Sequence, residues 1–171
     1  MDIGASGIIV PNVQTMIDAQ HAIDAIKYPP IGKRGLGLYK SQGFGNNLNQ
    51  YLEWNKKSSV LVVQIEHIDA IENLDKIFSL KEIDGCFIGP YDLSASMGIP
   101  GQFENKEYKK ILNIIKKMAF KYNISLGIHS ISPNPKDLLK FYTNGFNMLA
   151  FSLDTILLRH ITTNSLKQIK S

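Results

Sequence analysis

The chain has 171 residues, 44% of them hydrophobic, with a formal charge of +4 and a pI of about 9.1. That is enough for a single domain, 1–171, with a buried core. The positive excess sits in lysine pairs (Lys56-Lys57, Lys109-Lys110, Lys116-Lys117) beside helical apolar periods and without interleaved aromatics, which argues for solvated helix faces and against nucleic acid.

A lone cysteine, Cys86, lies in an apolar run; it excludes an internal disulfide and reads as a small buried hydrophobe. No apolar run approaches the ~20 residues of a membrane span, and no signal-peptide pattern opens the chain. A soluble, cytoplasmic protein is expected.

In chain order, "GIIVP" (Gly7 to Pro11) predicts a first strand. Thr15 is placed to cap the next helix, with Asp18 in its first turn, and Met16, Ala19, Ala22, Ile23 and Ile26 keep helical spacing. "VLVVQI" is the second strand, followed by a helix through Ile68, Ile71, Leu74, Ile77 and Phe78. "GCFIG" is the third, followed by a helix through Ile111, Leu112, Ile115, Met118 and Tyr122. "LGIHS" is the fourth, after which Asn134-Pro135 supplies a cap and a first-turn proline. "MLAFSL" is the fifth, and a last helix runs from about Thr155.

Five βα units in succession imply an α/β fold with a parallel sheet under helices. The strands are apolar without alternation, which predicts burial on both faces. The stretch from Tyr28 to Asn47, with two prolines and five glycines, exceeds the usual ~2–6 residue connection. It reads either as a mobile surface excursion or as a loop covering a site or a neighbouring subunit.

Two acids fall where parallel βα folds bind ligands, beyond the carboxyl ends of the strands. Glu66 ends the second strand, and Asp92 follows the third in "GPYDLS". Adjacent strands lie about 4.8 Å apart, so the two carboxylates are placed to share one small cation. Oxygen ligands suit Mg²⁺, Mn²⁺ or a similar ion. Such an ion would hold an α-keto acid and stabilise its enolate. Gly89 and Pro90 make a turn that aims the Tyr91 and Asp92 amides into the same mouth, where they suit an anion. The bland alternative is an exposed strand-end glutamate and an N-cap aspartate.

"VVQIEHIDAIENLDKI", "IDGCFIGPYDLSASMGIPGQF", "GIIVPNV" and "YPPIGKRGLG" resemble the HpcH/HpaI aldolase/citrate lyase family in order and spacing. The resemblance implies a (β/α)8 TIM barrel, of which this chain holds about five C-terminal βα units, and a homohexamer with an exchanged C-terminal helix. It implies a divalent metal (Mg, Mn or Co) on Glu66 and Asp92. Gln64 would line the site, and the Gly89-Pro90-Tyr91-Asp92 turn would hold a pyruvate carboxylate. The implied reaction is cleavage of a 4-hydroxy-2-oxo acid to pyruvate and an aldehyde.

Three family strands, with a base histidine and an arginine, have no counterpart here, so no catalytic residue is assigned to this chain. Gly4 reads as the C-cap of a helix. An open five-stranded sheet would expose its edges and part of an apolar interior. His67 is expected to point away from Glu66. His129 is a candidate pocket-lining group, and Lys33 and Arg34 lie in the long loop but are not assigned to a neighbouring site. Two further readings stay open. One is a non-catalytic remnant that binds metal and keto acid or only self-associates; the other is a citrate-lyase-like acyl lyase.

Overall fold

The computed structural model describes residues 1–170. The first strand, β1 (Gly7–Val10), follows a turn in which the Gly4 N–H donates to the Met1 carbonyl at 3.0 Å, with Gly4 at a φ of +107°. Helix α1 (Met16–Ile26) begins at Thr15. The Thr15 Oγ1 accepts the Asp18 N–H at 3.2 Å, and the Asp18 carboxylate accepts the Thr15 N–H at 2.8 Å. This reciprocal pair satisfies donors that the first helical turn leaves without partners.

The long segment after α1 is a packed structure rather than a mobile excursion. The buried Arg34 guanidinium lies 4.6 Å from the Tyr28 ring centroid, donates to Tyr51 Oη at 3.2 Å and pairs with the Asp2 carboxylate. The Lys33 ammonium pairs with Asp24 at 2.5 Å. Both cations are thus engaged within the chain. A 3₁₀ turn (Lys40–Gln42) follows, and Gln42 Nε2 donates to Tyr28 Oη at 2.7 Å.

A helix that the apolar pattern does not announce, α2 (Leu48–Ser58), then leads into β2 (Val60–Ile65). Asn55 of this helix and its C-cap Ser59 supply the polar partners of the buried Lys27. Lys27 Nζ donates to the Asn55 carbonyl at 3.1 Å, the Ser59 carbonyl at 2.9 Å and Ser59 Oγ at 2.8 Å. Burial holds this ammonium below the ordinary lysine value.

After β2 the Ile68 to Phe78 pattern divides into a 3₁₀ segment (Ile68–Asn73) and a short α3 (Leu74–Phe78). The remaining elements are β3 (Gly85–Ile88), α4 (Pro90–Ser96), α5 (Lys106–Tyr122), β4 (Ser125–Ser130), α6 (Pro135–Thr143), β5 (Met148–Phe151) and α7 (Asp154–Lys170). Asn105 and Asn134 cap α5 and α6, accepting the Glu107 and Lys136 N–H groups at 2.9 and 3.0 Å.

All strands are parallel, in the order β1-β2-β3-β4-β5. The register divides the side chains between two faces. Leu61, Val63, Ile65, Cys86, Ile88, Leu126 and Ile128 join the core under the helices. There they meet Ile23 and Ile26 of α1, Ile77 and Phe78 of α3, and Ile115 and Ala119 of α5. Burial pushes the Cys86 thiol up to about 12, so it is an inert packing group.

Ile9, Val60, Val62, Gln64, Phe87, His129 and Met148 fall on the opposite face. Ile9 and Val60 are 47% and 42% exposed there. Burial on both faces is therefore corrected: helices cover one face, and the other is partly open. The whole is a five-stranded α/β half-barrel.

Candidate metal centre

Strand register sets the site. Gln64, Phe87 and Gly127 lie in one row across β2, β3 and β4, and Ile65, Ile88 and Ile128 in the next. Glu66 and Gly89 are the residues that follow in their strands. The Glu66 side chain leans over Gly89: a Cβ at Gly89 would lie 2.7 Å from Glu66 Oε2 and 3.1 Å from Gln64 Nε2. A side chain at this position would require the Glu66 carboxylate to shift from where it lies.

Glu66 is held at both oxygens. Its Oε1 accepts the Asn12 N–H at 2.8 Å, and its Oε2 accepts a Gln64 Nε2 hydrogen at 2.5 Å. Asn12 reaches this point because the chain turns just past β1, with Asn12 at a φ of 53°. Asparagine tolerates that left-handed backbone better than most residues. Gln64, two residues before Glu66 on the strand, shares its face.

Asp92 sits on α4. Gly89 is the N-cap of that helix and Pro90 its first residue, so Asp92 lies in the first turn, where the helix dipole favours a carboxylate. It is not itself the cap. The amides of Tyr91 and Asp92 belong to the same turn, whose N–H groups have no acceptor inside the helix. Ser96, at the end of α4, ties the two acid-bearing segments together. Its Oγ accepts the Ile68 N–H at 3.0 Å and donates to the Leu93 carbonyl at 2.8 Å.

Gln64, Glu66 and Asp92 line one cleft of about 500 Å³, with Pro11, Asn12, His67, Ala95 and Ser96. No lysine or arginine is among these lining residues. That donor set fits a hard divalent cation. Among the described residues, neither this cleft nor any other place gathers three or more His, Cys, Asp or Glu side chains in a group that could hold a metal ion.

The other expected residues are divided. Gly89 lies against Glu66, whereas Pro90 and Tyr91 line a separate cavity of about 810 Å³ together with Phe103, Tyr108 and His129. The Tyr91 ring meets Phe103 edge-on, with centroids 5.0 Å apart.

His67, in extended backbone, is also among the residues that line the cleft. Its Nδ1 accepts the Asp69 N–H at 3.3 Å, so the neutral ring carries its proton on Nε2 and offers the cleft a donor, not a base. His129 Nε2 lies 2.9 Å from the Ser152 carbonyl. Asn12 and Ser96 are the residues that sequence reasoning missed. The only signals for them were a Pro-Asn turn after a strand and a serine four residues beyond Asp92.

The HpcH/HpaI aldolase/citrate lyase family model matches residues 1–161. The 2-keto-3-deoxy-L-rhamnonate aldolase of Salmonella paratyphi A is 33% identical over 174 residues, covering 100% of this chain and 64% of that protein. The HpcH/HpaI aldolase of Desulfitobacterium hafniense DCB-2 has a TM-score of 0.88 at 27% identity, over 99% of this chain and 66% of that one. A family protein from Burkholderia cenocepacia J2315 has a TM-score of 0.91 at 24% identity, over 99% of this chain and 67% of its own, a likeness of fold. The chain thus spans 64% of the length of the curated relatives it matches. With the match running through both acid-bearing turns, the chain belongs to the HpcH/HpaI aldolase/citrate lyase family.

Proposed function

We propose that this chain provides the metal and keto-acid half of a divalent-metal-dependent pyruvate aldolase, which splits a 4-hydroxy-2-oxo acid into pyruvate and an aldehyde. Glu66 and Asp92 would hold Mg²⁺, Mn²⁺ or Co²⁺. Gln64, Gly89 and Asp92, with the backbone amides of the turn Pro90-Tyr91-Asp92, would bound the keto acid, while the Pro90 and Tyr91 side chains face the separate cavity. The observation that carries the reading is the shared cleft of Glu66 and Asp92, with no lysine or arginine among its lining residues and both Glu66 oxygens already oriented by hydrogen bonds. The family match and the Salmonella aldolase support the reaction class.

The bound ion would supply Lewis-acid polarisation of the keto oxygen. The remaining chemistry belongs to side chains. Cleavage breaks the C3–C4 bond, moves the C4 hydroxyl proton to a base and leaves an electron pair on C3, conjugated with the keto group. The Asn12 amide and Gln64 fix the Glu66 carboxylate so that no reorganisation is needed when ligand arrives. The Tyr91 and Asp92 amides are suited to the substrate carboxylate. No residue of this chain is assigned as the base, and a positioned base is worth ~10²–10⁴-fold.

The test is exchange of the pyruvate methyl protons in D₂O with Mn²⁺. It is run on the chain alone and together with the N-terminal third of a relative, which supplies a base. Exchange above metal alone is expected in the combined system and lost in Glu66→Gln. No exchange above metal alone in the combined system contradicts the proposal.

A further inference from the structure

The cavity of about 810 Å³ lies apart from the metal cleft, where α5 and α6 face each other. The two helices meet it with matching stripes: Lys109, Leu112, Asn113 and Lys116 on α5, and Asp137, Lys140, Phe141 and Asn144 on α6. Each stripe runs i, i+3, i+4, i+7, which is one face of a helix, and each holds a single apolar residue. Such faces lack the apolar ridge that interdigitates in a packed helix pair, so the space between them stays open.

The walls are aromatic. Towards α5, Tyr91, Phe103 and Tyr108 form a chain of rings with centroids 5.0 Å and 5.5 Å apart. Towards α6, Phe141 meets Phe146 edge-on at 5.6 Å. Tyr108 is 2% exposed, and among the described residues its hydroxyl has no hydrogen-bond partner. A buried phenol needs such a partner, and the cavity that Tyr108 lines is where one can come from.

The charges do not balance. Lys109, Lys116, Lys140 and Arg159 line the cavity against two acids, Glu104 and Asp137. Glu104 pairs with Lys109 at 2.5 Å and Asp137 with Lys140 at 2.7 Å. Lys116 and Arg159 pair with no carboxylate among the described residues. Lys116 is half-buried, and its ammonium lies 5.8 Å from the Phe146 ring centroid, so an unneutralised charge stands beside the aromatic wall.

We propose that this cavity is a second ligand site, for an aryl-bearing monocarboxylate whose ring lies between the aromatic walls and whose carboxylate is held by Lys116 and Arg159. Its size falls in the usual ~300–1,000 Å³ of small-molecule sites, and apolar walls with a few polar groups are their ordinary make-up. The site is independent of the metal, since neither Glu66 nor Asp92 lines it.

The test is calorimetric binding of 4-phenylbutanoate to the full chain in EDTA, where no metal can recruit the carboxylate. The comparisons are 4-phenylbutan-1-ol, which keeps the ring, and butanoate, which keeps the charge. One saturable site per chain is expected. The acid should bind roughly 10–100-fold tighter than the alcohol, as hydrogen bonds to charged groups imply, and butanoate not detectably. In the double variant Lys116→Met, Arg159→Gln, which keeps long side chains at both positions, the ratio of acid to alcohol should fall to near one. Nuclear Overhauser contacts should run from the phenyl protons to the Tyr108 and Phe141 rings. No saturable binding, equal affinities of acid and alcohol, or an unchanged ratio in the double variant would each overturn the inference. So would contacts to Ile9 and Val60 on the open sheet face in place of Tyr108 and Phe141.

Discussion

Glu66 explains why an apolar strand ends on a charged residue. Its two oxygens take hydrogen bonds from Asn12 and Gln64, and Gly89 gives it space. Those bonds orient the carboxylate without neutralising it, so its charge remains available to a cation. Gly89→Ala is a sharp test, because the Gly89 φ of −89° suits alanine and only the added methyl is at issue. The methyl would push Glu66 off Gln64. Loss of such supporting geometry typically costs ~10–100-fold in metal affinity. Mn²⁺ titration should show a drop of that size with the fold retained by circular dichroism. Gln64, Glu66 and Asp92 were legible as site candidates because strand period and strand-end position are written in the sequence. Asn12 was not, because its contact with Glu66 depends on how β1 pairs with β2.

At the scale of elements, caps and ties decide the local geometry. Thr15→Ala removes one side of the Thr15–Asp18 box and should cost about 1 kcal/mol in denaturant unfolding. The Thr15 hydrogen bonds hold the Asp18 carboxyl below its ordinary value. Its stabilisation is therefore complete above the ordinary aspartate range and is lost as pH falls through the lower folded value. Acid titration of stability should lose that component in Asp18→Asn.

Ser96→Ala should act differently, since it strips the Ile68 N–H of its acceptor. A cost of ~1–3 kcal/mol is expected, with weaker Mn²⁺ binding, and Ser96→Thr should restore most of both.

Most elements were legible from spacing and caps, α1 and α6 in particular. The α2 helix was not, because it buries Tyr51 and a polar Asn55 rather than an apolar stripe. The pattern Ile68, Ile71, Leu74, Ile77 repeats every three residues, which a 3₁₀ segment satisfies as well as an α-helix does.

At the scale of the whole molecule, the apolar core is one-sided. Helices bury Leu61, Val63, Cys86 and Ile88, while Ile9 and Val60 remain exposed on the opposite face. Unbroken apolar strands could not reveal this, because the pattern reports what a strand could bury and not what covers it. Cys86 measures the covered side. With its thiol pushed up to about 12 and fully enclosed, it should resist an aromatic disulfide reagent at pH 8 in the native chain and react only as denaturant unfolds the sheet. Prompt reaction in native buffer would show that the helix layer does not seal the sheet.

The central claim is that Glu66 and Asp92 grip one divalent ion that also contacts a keto acid. Its most direct measurement is the proton relaxation of the pyruvate methyl group in a solution of Mn²⁺ and the chain. The account predicts relaxation enhanced well beyond that given by free Mn²⁺, abolished in both Glu66→Gln and Asp92→Asn. Enhancement that survives either substitution, or its absence in the unaltered chain, would contradict it.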